Sequence, residues 1–281
     1  MDPTLGIFVV PDATNAGATV AQIIEAERSG LDMVGVQDHP YQWRFFDTWT
    51  LLAYVAGRTE RVRLLPDVLN LPLRLPAMIA DSVASLDSLS GGRIELGIGA
   101  GAFWDAVAAM GGPRRTPKEP VDALEEAIAI LRSFWSGQRS VRFEGQHYQI
   151  TGAHPGSPPA HSVRIYVGAY GPRMLRLTGR LADGWLPSLG EHHLHPEDAR
   201  KGHAAIDEAA RAAGREPTEI ERALNVMVLE GQPATWADQT ARISEELGFS
   251  TLLVGVPQDD PVTFVRGLGE DVGPRLRELL G

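Results

Sequence analysis

The stretch from Ser90 to Trp104, SGGRIELGIGAGAFW, contains the features that decide the fold. Two adjacent glycines, Gly91 and Gly92, are typical of a helix C-terminus, because glycine adopts positive φ without strain. The alternating apolar residues after them predict a strand, followed by three glycines at alternate positions: Gly97, Gly99 and Gly101. Bare backbone there lets a flat or anionic ligand approach the main chain, although a glycine-rich β-to-α loop without a ligand also fits the pattern.

Units of one apolar strand and one amphipathic helix recur on both sides of this stretch. Leu5–Val10 begins the series and Pro261 opens the last helix, and mostly apolar strands are typical of a parallel sheet covered by helices. Residues 138–162 interrupt the series with a hairpin predicted at Val141–Ile150, which is a short insertion before strand five. Eight such units in residues 1–281 predict a single (β/α)8 TIM-barrel domain, with its active site at the carboxyl ends of the strands.

The composition excludes several classes of function. A net charge of −10 argues against binding to nucleic acid or to a membrane surface. The chain has no apolar run near the ~20 residues of a membrane span, and its beginning, MDPTLGIF, lacks a basic segment typical of a secretory signal. The absence of cysteine excludes disulfides, thiolate metal sites and cysteine nucleophiles. We therefore expect a cytoplasmic protein that acts on a small-molecule substrate.

Strand two ends in a cluster with acid–base potential. Asp38 and His39 follow Gln37, and Trp43 lies four residues beyond the histidine. An imidazole beside a carboxylate donates or accepts a proton near neutral pH, and an indole offers a flat wall for a planar ligand. The alternative is structural: Asp38 caps the turn before Pro40 while His39 and Trp43 only pack.

Strand five ends in a predicted anion site. Pro172 is suited to a first helical position, so the amides of Gly168, Ala169, Tyr170 and Gly171 gather near a helix N-terminus. Free N–H groups and the helix dipole favour a phosphate there. An ordinary β-to-α turn is the alternative interpretation.

Three histidines lie in the loop after strand six and could be read as zinc ligands, but their sequence context argues against a metal site. They are accompanied by Glu191, Pro196 and Glu197, as in a solvated loop, and the chain contains no HExxH motif. We therefore expect no metal at these three residues: His192, His193 and His195.

Three segments resemble the bacterial luciferase-like oxidoreductases: QDHPYQW, LDSLSGGRIELGIGAG and IYVGAYGPRMLRLTGRLADGW. The resemblance covers nearly the whole chain, and it implies a (β/α)8 barrel that binds a flavin or deazaflavin, usually as a homodimer. It also implies that the ring lies at the barrel mouth, with its phosphate at the amides of Gly168–Gly171.

The resemblance assigns further residues to the cofactor. A non-proline cis peptide after strand three, at Asp67–Val68 by position, forms a bulge behind the ring in that family. Asp67, Val68 and Asn70 would then back the ring, while Gly99, Ala100 and Gly101 would permit its approach.

Asp38-His39 followed by Trp43 is similar to the pattern of deazaflavin-dependent sugar-phosphate dehydrogenases, in which the histidine and the tryptophan contact the reacting face. The chain departs from that subgroup where a catalytic Glu should follow the glycine pair, because Ala102 occupies that position. An alanine cannot serve as an acid, so we expect an apolar or conjugated substrate. Its pocket would be formed by Phe45, Ala102, Phe103 and Trp104.

Together these features predict a coenzyme F420 (deazaflavin)-dependent oxidoreductase that transfers hydride between the cofactor and an organic substrate. In this hypothesis His39, oriented by Asp38, exchanges the accompanying proton, and Trp43 shapes the reacting face. An FMN-dependent monooxygenase on the same scaffold is the nearest alternative. A flavin-binding barrel without catalysis and a metal-dependent hydrolase are further alternatives.

Overall fold

The computed structural model describes residues 3–190 and 193–281. Eight main strands follow one another along this chain, separated by helices, and two two-residue strands, Leu69–Asn70 and Ser188–Leu189, complete the parallel sheet. The main strands are β1 (Thr4–Val9), β2 (Met33–Val36), β3 (Arg63–Pro66), β4 (Leu96–Gly99), β5 (Ile165–Val167), β6 (Gly184–Trp185), β7 (Glu221–Val226) and β8 (Thr251–Gly255).

The eight strands close into a parallel barrel. β1 pairs with β2, and β2 pairs with β3. On its other side β1 pairs with β8, and the ladder continues through β7, β6 and β5 to β4. Closure between β3 and β4 comes from Leu64, whose N–H donates to Arg93 O at 2.9 Å and whose carbonyl accepts from Glu95 N at 3.0 Å. The predicted (β/α)8 barrel is therefore confirmed.

Helices cover the outside of the barrel, and none in the described ranges is long and apolar enough to cross a membrane. The helices are α1 (Ala16–Arg28), α2 (Thr48–Ala56), α3 (Pro76–Ser90), α4 (Trp104–Ala109), α5 (Glu119–Trp135), α6 (Pro172–Leu181), α7 (Pro196–Ala212), α8 (Trp236–Leu247), α9 (Pro261–Gly267) and α10 (Gly273–Leu280). The predicted insertion before β5 is an antiparallel hairpin of Val141–Glu144 and Gln149–Ala153.

Local sequence explains where several helices begin and end. The Asp47 carboxylate accepts the N–H of Thr50 at 2.9 Å and so caps the first turn of α2. At the C-terminus of α3, Gly91 adopts φ +75° in the left-handed region, as predicted from the glycine pair. The strand that follows therefore starts at a defined point and places its glycines at the barrel mouth.

Two apolar layers stabilise the barrel, because successive side chains of a strand point to opposite faces. The outer layer joins strands to helices and contains, for example, Ile7, Val34 and Leu64. The inner layer fills the barrel interior with Phe8, Met33, Leu65, Tyr166, Leu186, Ala223 and Leu253. A filled interior leaves the mouth of the barrel as the place for a ligand.

Candidate active site

A cavity of about 370 Å³ opens at the carboxyl ends of the strands. Residues from the ends of β2, β3, β4, β5 and β7 contribute to its wall. Most of the residues expected from the sequence line it: Asp38, His39, Asp67, Val68, Asn70, Gly99, Ala100, Gly101, Ala102, Phe103, Gly168, Tyr170 and Gly171.

Four expected residues do not line this cavity. Trp43 is 82% exposed in the loop after β2, where the Arg44 guanidinium lies 5.9 Å from its ring centre. Phe45 forms an antiparallel bridge with Asp12 and lies outside the cavity wall. Trp104 begins α4, and Ala169 is buried in the core, where its carbonyl accepts the indole N–H of Trp185 at 2.9 Å.

The expected pairing of Asp38 with His39 is replaced by a different partnership. Arg74 donates from Nη1 and Nη2 to the two Asp38 oxygens at 2.7 and 3.0 Å, and the Asn70 N–H donates to Oδ2 at 2.7 Å. These three N–H groups donate hydrogen bonds to the Asp38 carboxylate, which is itself buried. Asp38 therefore ties the loop after β2 to the loop after β3, and it does not orient His39 through a hydrogen bond.

His39 is held by Tyr41 and Phe103 instead. Its Nδ1 lies 2.6 Å from the Tyr41 hydroxyl, and the Phe103 ring packs edge-on against the imidazole at 5.7 Å between centres. Burial lowers the pKa of His39, while the negative charge of Asp38 opposes that shift. With Nδ1 engaged, Nε2 is the ring nitrogen left for a ligand.

The bond between Asp67 and Val68 is a cis peptide, as the resemblance implied. Val68 packs against the glycines at the strand ends: a Cβ on Gly99 would lie 2.9 Å from its Cγ2, and one on Gly168 would lie 3.2 Å from the same atom. The glycine positions therefore accommodate the Val68 side chain. Gly99 also lines the cavity, so its contact with a ligand stays a prediction.

Buried polar atoms without hydrogen-bond partners concentrate at this cavity. The Oδ2 of Asp67, the Oδ1 of Asn70 and the Oδ1 of Asn225 belong to cavity-lining residues and have no partner among the described residues. Asn225 donates through Nδ2 to Asp67 Oδ1 at 2.9 Å, and burial raises the pKa of Asp67 to about 7. Unpartnered buried polar atoms are costly, so a polar ligand at this position would stabilise the site.

The N-terminus of α6 borders the same cavity. The first helical hydrogen bond runs from Leu175 N to Gly171 O at 3.0 Å, and no side chain caps this end. Amides in the first turn of a helix have no helical acceptor, and they attract an anion. A Cβ on Gly171 would meet no atom within 4 Å, so this backbone is open to an approaching group.

Sequence reasoning missed three residues that shape the site: Tyr41, Arg74 and Asn225. Tyr41 lies within the QDHPYQW segment, two residues after the histidine it contacts. Asn225 interrupts the apolar run of β7. A polar residue at the inner face of a barrel strand is unusual, so Asn225 could have been identified as a site residue from the sequence. Nothing in the local sequence indicates the partner of Arg74.

His193 and His195, the described histidines of this loop, belong to no cluster of possible metal ligands, and the absence of a metal stays a prediction. No group of three or more His, Cys, Asp or Glu side chains is placed to hold an ion in the part of the chain that the structure describes. His192 and Glu191 lie outside the described residues, whereas His193 lines the cavity beside Tyr170, with ring centres 5.9 Å apart.

Comparisons with known proteins agree with this architecture. The family model of the luciferase-like monooxygenases matches residues 4–232. An F420-dependent glucose-6-phosphate dehydrogenase from Nakamurella multipartita is 30% identical over 92% of this chain and 92% of the relative.

Solved structures show the same fold at lower identity. The coenzyme F420-dependent tetrahydromethanopterin reductase from Methanopyrus kandleri superposes with a TM-score of 0.84 and 22% identity, covering 98% of this chain and 100% of that one. An F420-dependent secondary alcohol dehydrogenase gives 0.86 and 19%, with coverage of 98% and 99%. The chain belongs to the luciferase-like monooxygenase family.

Proposed function

We propose that this chain is an F420-dependent oxidoreductase that transfers hydride between the cofactor and an organic substrate in the cavity at the barrel mouth. The observation that carries the proposal is the combination, around one cavity, of His39, unpartnered buried polar atoms and an open helix N-terminus. The relatives named as F420-dependent, one of them aligned over 92% of both chains, support the same cofactor.

The residues present fit a deazaflavin. The N–H groups of a planar heteroaromatic ring would donate to the unpartnered oxygens of Asp67, Asn70 and Asn225, which are hydrogen-bond acceptors. The phosphate of its side chain would meet the amides at the start of α6, where Gly171 leaves the backbone open. We therefore assign the ring to the Asp67–Asn70 side of the cavity and the phosphate to the Gly168–Gly171 turn.

When bound, the deazaflavin supplies or accepts the hydride. His39 then exchanges the proton that accompanies hydride transfer, through the Nε2 atom that its contact with Tyr41 leaves available. Because burial lowers its pKa, the imidazole is mainly neutral at pH 7. The rings of Tyr41 and Phe103 cover His39 on two sides and limit the access of water to it.

The cavity favours an apolar or conjugated substrate. Among the described residues that line it there is no lysine or arginine, so a sugar phosphate would find no cationic side chain there. Ala102 and Phe103 give apolar surface beside His39, and Leu186 and Met174 extend it. On these grounds the substrate differs in class from the sugar phosphates named for the curated relatives.

Parallel titrations with oxidised F420 and with FMN, each followed by fluorescence, test this function. We expect F420 to bind with a Kd in the micromolar range and FMN to bind at least ten times more weakly. The reverse preference, with oxygen uptake in the presence of reduced FMN, supports the monooxygenase alternative. Binding of neither molecule contradicts both.

We further propose that the chain is a single domain with one such site. Two copies of the chain form a homodimer, and the protein acts in the cytoplasm. Absence of cysteine is consistent with that compartment. The outer face of α3 exposes Leu75, Met78 and Leu89, which are 66, 58 and 85% accessible. Light scattering should give a dimer for the native protein and a monomer for Met78→Glu. Met110→Glu, on another exposed methionine, should remain a dimer.

A further inference from the structure

His39 and Tyr41 share one hydrogen bond, and the tautomer of His39 decides which of them donates. The Nδ1 atom and the hydroxyl oxygen lie 2.6 Å apart. Burial and the charge of Asp38 raise the pKa of Tyr41 to about 12, so its hydroxyl keeps its proton at neutral pH. Because Nδ1 is the one acceptor within hydrogen-bonding distance of this hydroxyl among the described residues, the arrangement favours the phenol as the donor.

Among the described residues, no group other than Tyr41 forms a hydrogen bond with Nδ1. Asp38 is occupied by Arg74 and by the Asn70 amide. Phe103, from the loop after β4, contacts both the His39 and the Tyr41 rings at 5.7 and 5.8 Å and offers no hydrogen-bonding atom. A neutral imidazole that accepts at Nδ1 carries its own proton on Nε2.

We propose that Tyr41 is a positioning residue that fixes His39 in the Nε2–H tautomer, so that the imidazole presents a hydrogen-bond donor to the substrate. The inference rests on the proposed function for the identity of the reaction, whereas the tautomer is a property of the protein alone. The substrate atom that faces His39 is then an acceptor, as in the carbonyl oxygen of an apolar ketone or aldehyde.

The proton and electron balance of a reduction follows from this arrangement. As the carbonyl carbon accepts hydride from the reduced deazaflavin, the π electron pair of the C=O bond moves to oxygen. The oxygen takes the Nε2 proton as Nδ1 takes the phenolic proton of Tyr41, which leaves His39 protonated on Nδ1 and Tyr41 as a phenolate. A solvent proton then returns to Nε2 while the Nδ1 proton returns to the phenolate, so both groups are restored. Transfer through Tyr41 avoids an isolated imidazolate, and the reverse sequence describes oxidation of an alcohol.

Nitrogen-15 NMR of the full-length protein with labelled histidine tests the tautomer directly, without substrate or cofactor. His39→Gln assigns the signals. Above the His39 pKa, we expect the wild type to carry its proton on Nε2, and Tyr41→Phe to show a mixture of both tautomers. Tyr54→Phe, a control at an exposed tyrosine of α2, should match the wild type. A wild-type proton on Nδ1, or an unchanged tautomer in Tyr41→Phe, overturns the proposal.

The same spectra, recorded over a range of pH, also give the pKa of His39, which a purely structural role of Tyr41 would not change in a defined direction. A donor to Nδ1 stabilises the neutral ring, so its loss in Tyr41→Phe should raise the pKa of His39. The titratable and charged groups around the ring stay in place: Asp38 with Arg74, and Asp67, Tyr170 and His193 across the cavity. A lowered or unchanged pKa contradicts the proposal. Failure of F420 to bind would instead contradict the proposed function and leave the tautomer result standing.

Discussion

The guanidinium of Arg74 forms two hydrogen bonds with the buried carboxylate of Asp38, at 2.7 and 3.0 Å. The two residues are 36 positions apart in sequence, in the loops after β3 and β2. Arg74 also contacts Asp47, the capping residue of α2, at 3.2 Å. One arginine therefore holds together the loop that carries His39 and the loop that follows the cis peptide.

Removal of this arginine should cost much more stability than removal of a similar surface pair. In Arg74→Ala the Asp38 charge stays buried with only the Asn70 amide as donor, and we expect a loss of about 3–5 kcal/mol. Arg180→Ala breaks an equally bidentate but exposed pair with Glu125 and should cost at most about 1 kcal/mol. Urea unfolding measures both, and equal losses would contradict this account.

Gly97 should tolerate no side chain, for a reason internal to the barrel. A Cβ there would overlap the carbonyl oxygen of Pro66 and lie 3.2 Å from Val68 Cγ1, so we expect Gly97→Ala to destabilise by about 3 kcal/mol. Gly57→Ala is the matched control, because its Cβ would approach only the Tyr54 carbonyl, at 3.8 Å. Thermal unfolding should separate the two variants, and a native-like Gly97→Ala would refute the packing role.

Gly171 should matter for cofactor binding and not for folding. An added methyl group meets no protein atom within 4 Å but occupies space at the cavity beside the start of α6. We expect Gly171→Ala to weaken F420 binding about tenfold, which corresponds to about 1.4 kcal/mol, with unchanged stability. Gly17→Ala, whose methyl group is equally unhindered on α1, should leave F420 affinity unchanged. Equal affinities in both variants would place the phosphate elsewhere.

Ionisation of the buried Asp67 carboxyl group should lower the free energy of unfolding as pH rises. Burial raises its pKa from 3.8 to about 7, so the folded protein retains a proton that the unfolded chain has released in this interval. The contribution of protonated Asp67 to the free energy of unfolding is fully present below pH 3.8, and it is lost as pH rises through about 7. Between pH 5 and 8 the loss amounts to about 2–3 kcal/mol.

Urea unfolding at pH 5 and pH 8 measures this contribution. Asp67→Asn should remove the Asp67 part of the pH dependence, because the amide does not titrate in this range. Asp105→Asn, at a carboxylate whose side chain is 89% exposed, should follow the wild type. An Asp67→Asn variant with the wild-type pH dependence would show that Asp67 ionises normally in the folded state.

The sequence by itself determined the barrel and the position of the site within it. Apolar runs, helix caps and glycine stops are patterns of neighbouring residues, so Gly91, Pro172 and the strand of Leu96–Gly99 are readable without tertiary contacts. The order of eight strands then places their carboxyl ends at one mouth, and this brings His39, Asp67 and Gly171 to one cavity.

Only the tertiary structure decided which side chains meet there. Asn225 reaches Asp67 across 158 residues, and Arg74 takes the Asp38 carboxylate that local spacing assigns to His39. These pairings depend on strand register and on side-chain rotamers, which a local pattern does not encode. Trp43 shows the same limit, because one turn of loop directs it to solvent although its spacing from His39 matches a binding-site pattern.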